Sequence, residues 1–197
     1  MTSNIRLLRD SFKGKTATIV GCGPSILELT HAHFEDGPVI ALNHAILTIR
    51  ALNLWNPVFS MQKDGCTPHG VEAVVPLGCV CPSTEVVEPR FPETLLLSAA
   101  ESSRCFPLYA KRCIFDNEQD LGVAWFTSSA PTAVKIAELM GCRTLRMFGH
   151  DAYTAGDTGR VPGSSPSDQA RAGYVLSGQE VQTRADMAGI TVEWMAP

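Results

Sequence analysis

Several common signatures are missing from this 197-residue chain, and each absence removes a class of protein. The seven cysteines are odd in number and form no CxxC pair, so neither a zinc knuckle nor a disulfide framework accounts for them. Cys79 and Cys81 stand too close for the usual zinc spacing, and free thiols are the better reading. No Lys/Arg cluster offsets the net charge of −4, which argues against a protein that grips nucleic acid through its phosphates. Nowhere does an apolar run approach the roughly 20 residues of a membrane span. The N-terminal MTSNIRLLRDSFKGK has no signal-peptide core. The expectation is a cytoplasmic protein with no membrane span, whose partners are small molecules or polar chains.

Familiar catalytic signatures are missing too. The stretch TATIVGCGPSILEL begins like a dinucleotide fingerprint, yet Ile26 stands where GxGxxG needs its third glycine. The next predicted strand ends in Asn43 rather than in an acid that would hold a ribose. Gly14-Lys15-Thr16 imitates the end of a P-loop, but Arg9 replaces the earlier glycine and the triplet precedes the strand instead of following it. No GxSxG elbow occurs. His31 and His33 would point about 200° apart on a helix, so they read as a polar stretch rather than a metal pair.

What is present is a chain 45% apolar and 18% charged, enough to bury a substantial core as one domain over residues 1–197. Short β-rich runs alternate with helical patterns. TATIVG, PVIALN and PVFSMQ read as strands, and SILELTHAHF and HAILTIRALN as helices. The proline-rich segment 66–126 holds weaker strands at VEAVVPL, TLLLSA and RCIFD. SSAPTAVKIAELMG places Ala133, Ile136, Ala137 and Met140 on one helical face and stops at Gly141. TLRMFGHD follows as a strand, and SDQARAGYVLSGQEVQTRADMAG as a helix before a last strand, ITVEWM. The alternation predicts an α/β fold, a Rossmann-like three-layer sandwich with a largely parallel sheet.

In such sheets ligands bind at the carboxyl ends of the strands. Gly21-Cys22-Gly23-Pro24-Ser25 is the first loop there. Gly21 and Gly23 allow a tight turn, Pro24 suits a first helical position, and the helix start could meet a phosphate. Ser25 with Glu28 could instead form a capping box. Asn43 suits a ribose hydroxyl or a base edge, or caps the helix that follows. Thr127, Ser128 and Ser129 dress a second helix start with hydroxyls. Lys63 and Asp64 follow the third strand; His150 and Asp151 follow the strong C-terminal one. A carboxylate at these places could hold Mg²⁺ or accept from a hydroxyl nucleophile, and His150 could act as general base.

Together TIVGCGPSI, VIALNHA, PVFSMQKDG and TSSAPTAVKIAELMGCRTLRMFGHDAY resemble the MptE-like group, the 6-hydroxymethylpterin diphosphokinase-like proteins, and the related bacterial sialyltransferases of glycosyltransferase family 42. The likeness covers roughly residues 15–64 and 126–153. The chain departs from the sialyltransferases at Cys22, where they commonly carry a second asparagine, and in having no histidine after His150. The resemblance implies a small bacterial or phage transferase that binds a nucleotide through Gly21, Gly23, Pro24, Ser25, Asn43, Thr127, Ser128 and Ser129. Glycosyl transfer from a nucleotide-sugar donor to an unknown hydroxyl acceptor is the leading reaction, with His150 and Asp151 catalytic. Diphosphoryl transfer from ATP or GTP is the alternative, with Asp64 and Asp151 on Mg²⁺; a non-catalytic nucleotide-binding module is the third. Residues 66–126 are read as an acceptor-recognition insertion.

Overall fold

In a computed structural model that describes residues 2–43, 45–62, 95–99, 111–123, 129–151 and 168–195, the β-rich runs become strands of one parallel sheet. They are β1 (Thr2–Asn4), β2 (Thr16–Val20), β3 (Val39–Leu42), β4 (Val58–Met61), β5 (Leu95–Ala99), β6 (Lys111–Phe115), β7 (Thr144–Phe148) and β8 (Thr191–Trp194). The order across the sheet is β1-β6-β5-β4-β3-β2-β7-β8, and every neighbouring pair is parallel. From β2 the chain steps outward through β3, β4, β5 and β6, then returns to lay β7 on the other side of β2. The direction of winding therefore reverses between β2 and β7. In open α/β sheets the crevice at the carboxyl ends of such a pair is where ligands bind.

The expected α/β architecture is present, with helices on both faces. Helices α1 (Ala45–Ala51), α2 (Asn117–Leu121), α3 (Ser129–Leu139) and α4 (Asp168–Ala188) join the strands. One face of the sheet presents Ala17, Ile19, Ile40, Leu42, Phe59, Met61, Leu145 and Met147 to a core closed by Ala133, Ile136 and Ala137 of α3 and Val181 and Ala185 of α4. The other presents Val20, Val39, Ala41, Val58 and Phe148 to Ile26, Leu29, Ile46 and Ile49. Alternate residues of one strand thus enter different cores, as a strand buried on both sides requires.

Helix α3 follows from its sequence. Pro131 stands in its first turn, and Ala130, Ala133, Val134, Ile136 and Ala137 are all buried. It stops at Gly141, whose φ of +82° disfavours a side chain. There the Cys142 amide donates to the Ala137 carbonyl at 3.0 Å and that of Gly141 to Glu138 at 2.9 Å, the paired bonds of a Schellman ending. Helix α4 ends in the same way, Ile190 donating to Ala185 and Gly189 to Asp186. No helix among the described residues is long and apolar enough to cross a membrane.

Two local expectations are corrected. SILELTHAHF is not an α-helix but two 3-10 turns, Pro24–Glu28 and His31–His33. Ile26 and Leu29 are buried while Leu27 is 66% exposed, an i, i+3 spacing that suits the tighter 3-10 winding. Ser25 and Glu28 form no capping box; the Ser25 hydroxyl crosses to β7's loop, and it is the Thr30 amide that donates to His33 Nδ1, at 3.0 Å. At the N-terminus, Thr2–Asn4 joins the sheet beside β6. Cys113 and Cys142 are buried free thiols, the latter pushed up to about 11 by burial, and Cys22 is half-buried. The strand expected at VEAVVPL lies outside the described residues.

Candidate functional site

Because β2 and β7 are neighbours, the loops that leave their carboxyl ends meet. The Gly21 amide donates to the Phe148 carbonyl and the Gly23 amide to the Gly149 carbonyl, each at 2.7 Å. Side chains have no room between them. A Cβ on Gly21 would stand 2.5 Å from the Gly149 oxygen, and one on Gly149, whose φ is +67°, would stand 2.5 Å from the Gly21 oxygen. A Cβ on Gly23 would overlap Asp151 Oδ2. The glycines fit two loops to each other at backbone contact distance.

Ser25 closes this joint. Its backbone amide and its hydroxyl both donate to Asp151 Oδ2, at 3.2 and 3.0 Å, and its Oγ accepts from the Gly149 amide at 3.1 Å. Asp151 is thereby fixed at the mouth of the crevice, partly exposed, with its carboxylate aimed at the start of the 3-10 turn that Pro24 opens. His150, one residue earlier, is 7% exposed. Burial pushes its pKa down to about 4, against a smaller upward effect from a hydrogen bond to the Ile19 backbone. The imidazole is therefore neutral at physiological pH, and it packs edge-on against Trp194 with ring centroids 6.3 Å apart.

Asn43 occupies the next loop. It is exposed, with φ of +51°, a left-handed conformation that asparagine tolerates. Its amide donates to the Met61 carbonyl at 3.0 Å, and its own carbonyl accepts from Gln62 Nε2 at 3.0 Å. Gln62 is 1% exposed. It also donates to Ser60 Oγ at 3.1 Å, and its carbonyl accepts from Ser98 Oγ at 2.7 Å. A buried polar chain from Ser98 through Gln62 thus sets the backbone that presents Asn43. In sequence Gln62 is only the last residue of PVFSMQ, a polar residue directly after an apolar run, and turn residues give the same signal. Cys22 ties the first loop to this one, its Sγ donating to the Leu42 carbonyl at 3.4 Å.

The structure therefore gathers Gly21, Gly23, Pro24, Ser25, His150 and Asp151 at the β2–β7 crevice, with Asn43 one strand over. Ser129 opens α3, which packs on β2 and β3 from the face opposite to the Pro24–Glu28 turn. A helix that carries the chain back for the next parallel strand starts near the carboxyl ends, so Ser129 begins on the crevice side of the sheet. Thr127, Ser128, Lys63 and Asp64 lie outside the described residues. Among the described residues no group of three His, Cys, Asp or Glu side chains is placed to hold a metal ion.

No family model matches the chain, and no curated protein matches it. Among solved structures, the chain is similar to the sialyltransferase CstII from Campylobacter jejuni in complex with a substrate analogue, cytidine-5'-monophosphate. The TM-score is 0.46 and the identity 13%, over 94% of this chain and 81% of that chain.

Proposed function

We propose that this protein is a nucleotide-dependent transferase whose reaction is glycosyl transfer from a nucleotide-sugar donor to a hydroxyl acceptor. The observation that carries the reading is the Asp151 carboxylate, fixed by Ser25 at the crevice where the winding of a parallel sheet reverses. The motifs that surround it in sequence, GCGPS and TSS-to-GHD, are those on which the resemblance to nucleotide-using transferases rests. Within this reading Asp151 accepts the proton of the acceptor hydroxyl as its oxygen attacks the sugar carbon, and the nucleotide leaves with the electrons of the broken bond. Asn43, on its clamped backbone, offers an amide to ribose or base. Ser129 and the start of α3 face the departing phosphate. His150, neutral and buried beside Trp194, holds the segment that carries Asp151 rather than exchanging protons.

Diphosphoryl transfer is the second reading. Its Mg²⁺ would draw on Asp151, the one acidic side chain described at the crevice, together with Asp64. Thermal-shift measurements with CMP, UDP, GDP, ATP and GTP, with and without Mg²⁺, test both. Selective stabilisation by one nucleotide is expected, because a ligand of the folded state raises its stability by mass action. If no nucleotide moved the melting temperature, the proposal would be wrong. Turnover abolished by EDTA would select the diphosphoryl reaction.

A further inference from the structure

A loop that cradles phosphate does so with backbone N–H groups that have no other acceptor. The Gly21–Ser25 turn does not meet that requirement. Of its four N–H groups, those of Gly21, Gly23 and Ser25 are spent inside the protein, on Phe148, Gly149 and Asp151, as is that of Ile26, just beyond, on Gly23 at 3.1 Å. Pro24 has no N–H. The one side-chain donor of the turn that reaches an anion, the Ser25 hydroxyl, reaches that same carboxylate. The space that a phosphate oxygen would need over Gly23 is where Asp151 Oδ2 lies, so close that a Cβ would overlap it. A second anion beside this one would also meet like-charge repulsion.

From this arrangement we infer that the anion the Gly21–Ser25 turn is built to hold is Asp151 itself, and that Ser25 is a positioning residue for that carboxylate rather than a ligand of the nucleotide's phosphate. Gly23 is glycine because the carboxylate occupies the place of its side chain. The phosphate of a bound nucleotide then lies off the turn. This deepens the transferase reading and rests on it for the nucleotide, while the pairing of Ser25 with Asp151 stands on the fold alone.

The test compares what a phosphate adds to binding. Affinities are measured for cytidine and CMP, uridine and UMP, guanosine and GMP, and adenosine and AMP, in the parent protein and in Ser25→Ala. For the pair that binds, the nucleotide-to-nucleoside affinity ratio is expected to agree within about twofold between the two proteins, as no hydrogen bond to phosphate has been removed. A turn that held the phosphate would lose charge-assisted bonds, and the ratio would fall about tenfold or more; that result overturns the inference. In donor turnover the Ser25→Ala loss is expected in kcat with KM unchanged, and Ser25→Thr restores it; a rise in KM alone would count against a positioning role. Urea unfolding supplies a readout that needs no ligand. Ser25→Ala together with Asp151→Ala should shift the midpoint by clearly less than the sum of the two single shifts, the part that remains being the bond Ser25 Oγ accepts from the Gly149 amide, whereas fully additive shifts would mean the two residues are not a pair. If none of the nucleotides binds the parent, the transferase reading fails by itself, and the unfolding comparison still decides the pairing.

Discussion

Beneath α3 and α4 the central strands present only apolar side chains, from Ala17 and Ile19 to Leu145 and Met147. Beneath the two 3-10 turns and α1, the alternate residues of the same strands include Thr18, Ser60 and Ser98, all buried, and Arg146. Arg146 bridges Glu35 and Glu193, and Thr16 Oγ1 donates to Glu35 Oε2 at 2.8 Å. The first face is covered by helices of 11 and 21 residues, the second by turns of five and three residues and a helix of seven. Long helices bring an apolar stripe wide enough to seal a face with hydrocarbon. Short turns cannot, so the second face mixes apolar packing with hydrogen bonds and ion pairs. It is also the face from which Ser25 reaches Asp151.

This contrast is open to attack. The sharpest test is a matched truncation on each side. Ile136→Ala, in the fully buried middle of α3, should cost about 4 kcal/mol, and Ile26→Ala about 2 kcal/mol, because a 3-10 turn can settle into the space while a long helix cannot. Equal losses in urea unfolding would erase the distinction. Next in size is the effect of acid at the junction of the two loops. His150 titrates near 4 in the folded protein, below its ordinary 6.5, so the unfolded chain binds the extra proton between those values. Stability from this group is present in full above about pH 6.5 and is lost as pH falls towards 4, by about 3 kcal/mol. His150→Gln should flatten the stability profile across that window, and an unchanged slope would show that the ring is solvated. Smallest is Arg146→Met, which removes both bridges on the mixed face. A cost of about 1 kcal/mol is expected, shrinking in high salt because both glutamates are partly exposed. A loss that did not respond to salt would mean that the arginine acts there by packing.

Legibility in the sequence followed this division in part. Helix α3 was readable because its apolar residues recur at helical spacing and because Pro131 and Gly141 mark its ends. The strands TATIV, VIAL, VFSM and TLRMF were readable as short β-rich runs bounded by turn residues. On the other face HAILTIRALN was readable as the helix that forms as α1, and the signal failed at the turns. SILELTHAHF carries too few apolar residues to distinguish an α-helix from 3-10 turns, and the choice was made by how Ile26 and Leu29 fit under the sheet. Strand β1, with three residues, is too short to show a period and owes its existence to its partner β6. At the crevice, residue types at strand ends located Ser25, Asn43, His150 and Asp151 in sequence. Their pairing was beyond reach, since no local pattern says that Ser25 donates to Asp151 or that Gln62 holds the Asn43 carbonyl.

Ser25 and Asp151 are 126 positions apart in the chain. Their contact closes a loop that contains β3 through β7, so it forms only after the last of these strands has docked beside β2. Contacts of such long sequence separation come late in folding, because the entropy of closing the loop must be met before they return anything. A chain still emerging during synthesis, or one truncated before β7, has the Gly21–Ser25 turn but not the carboxylate that fills it. Assembly of the crevice therefore reports that the strands on both sides of it have found their places.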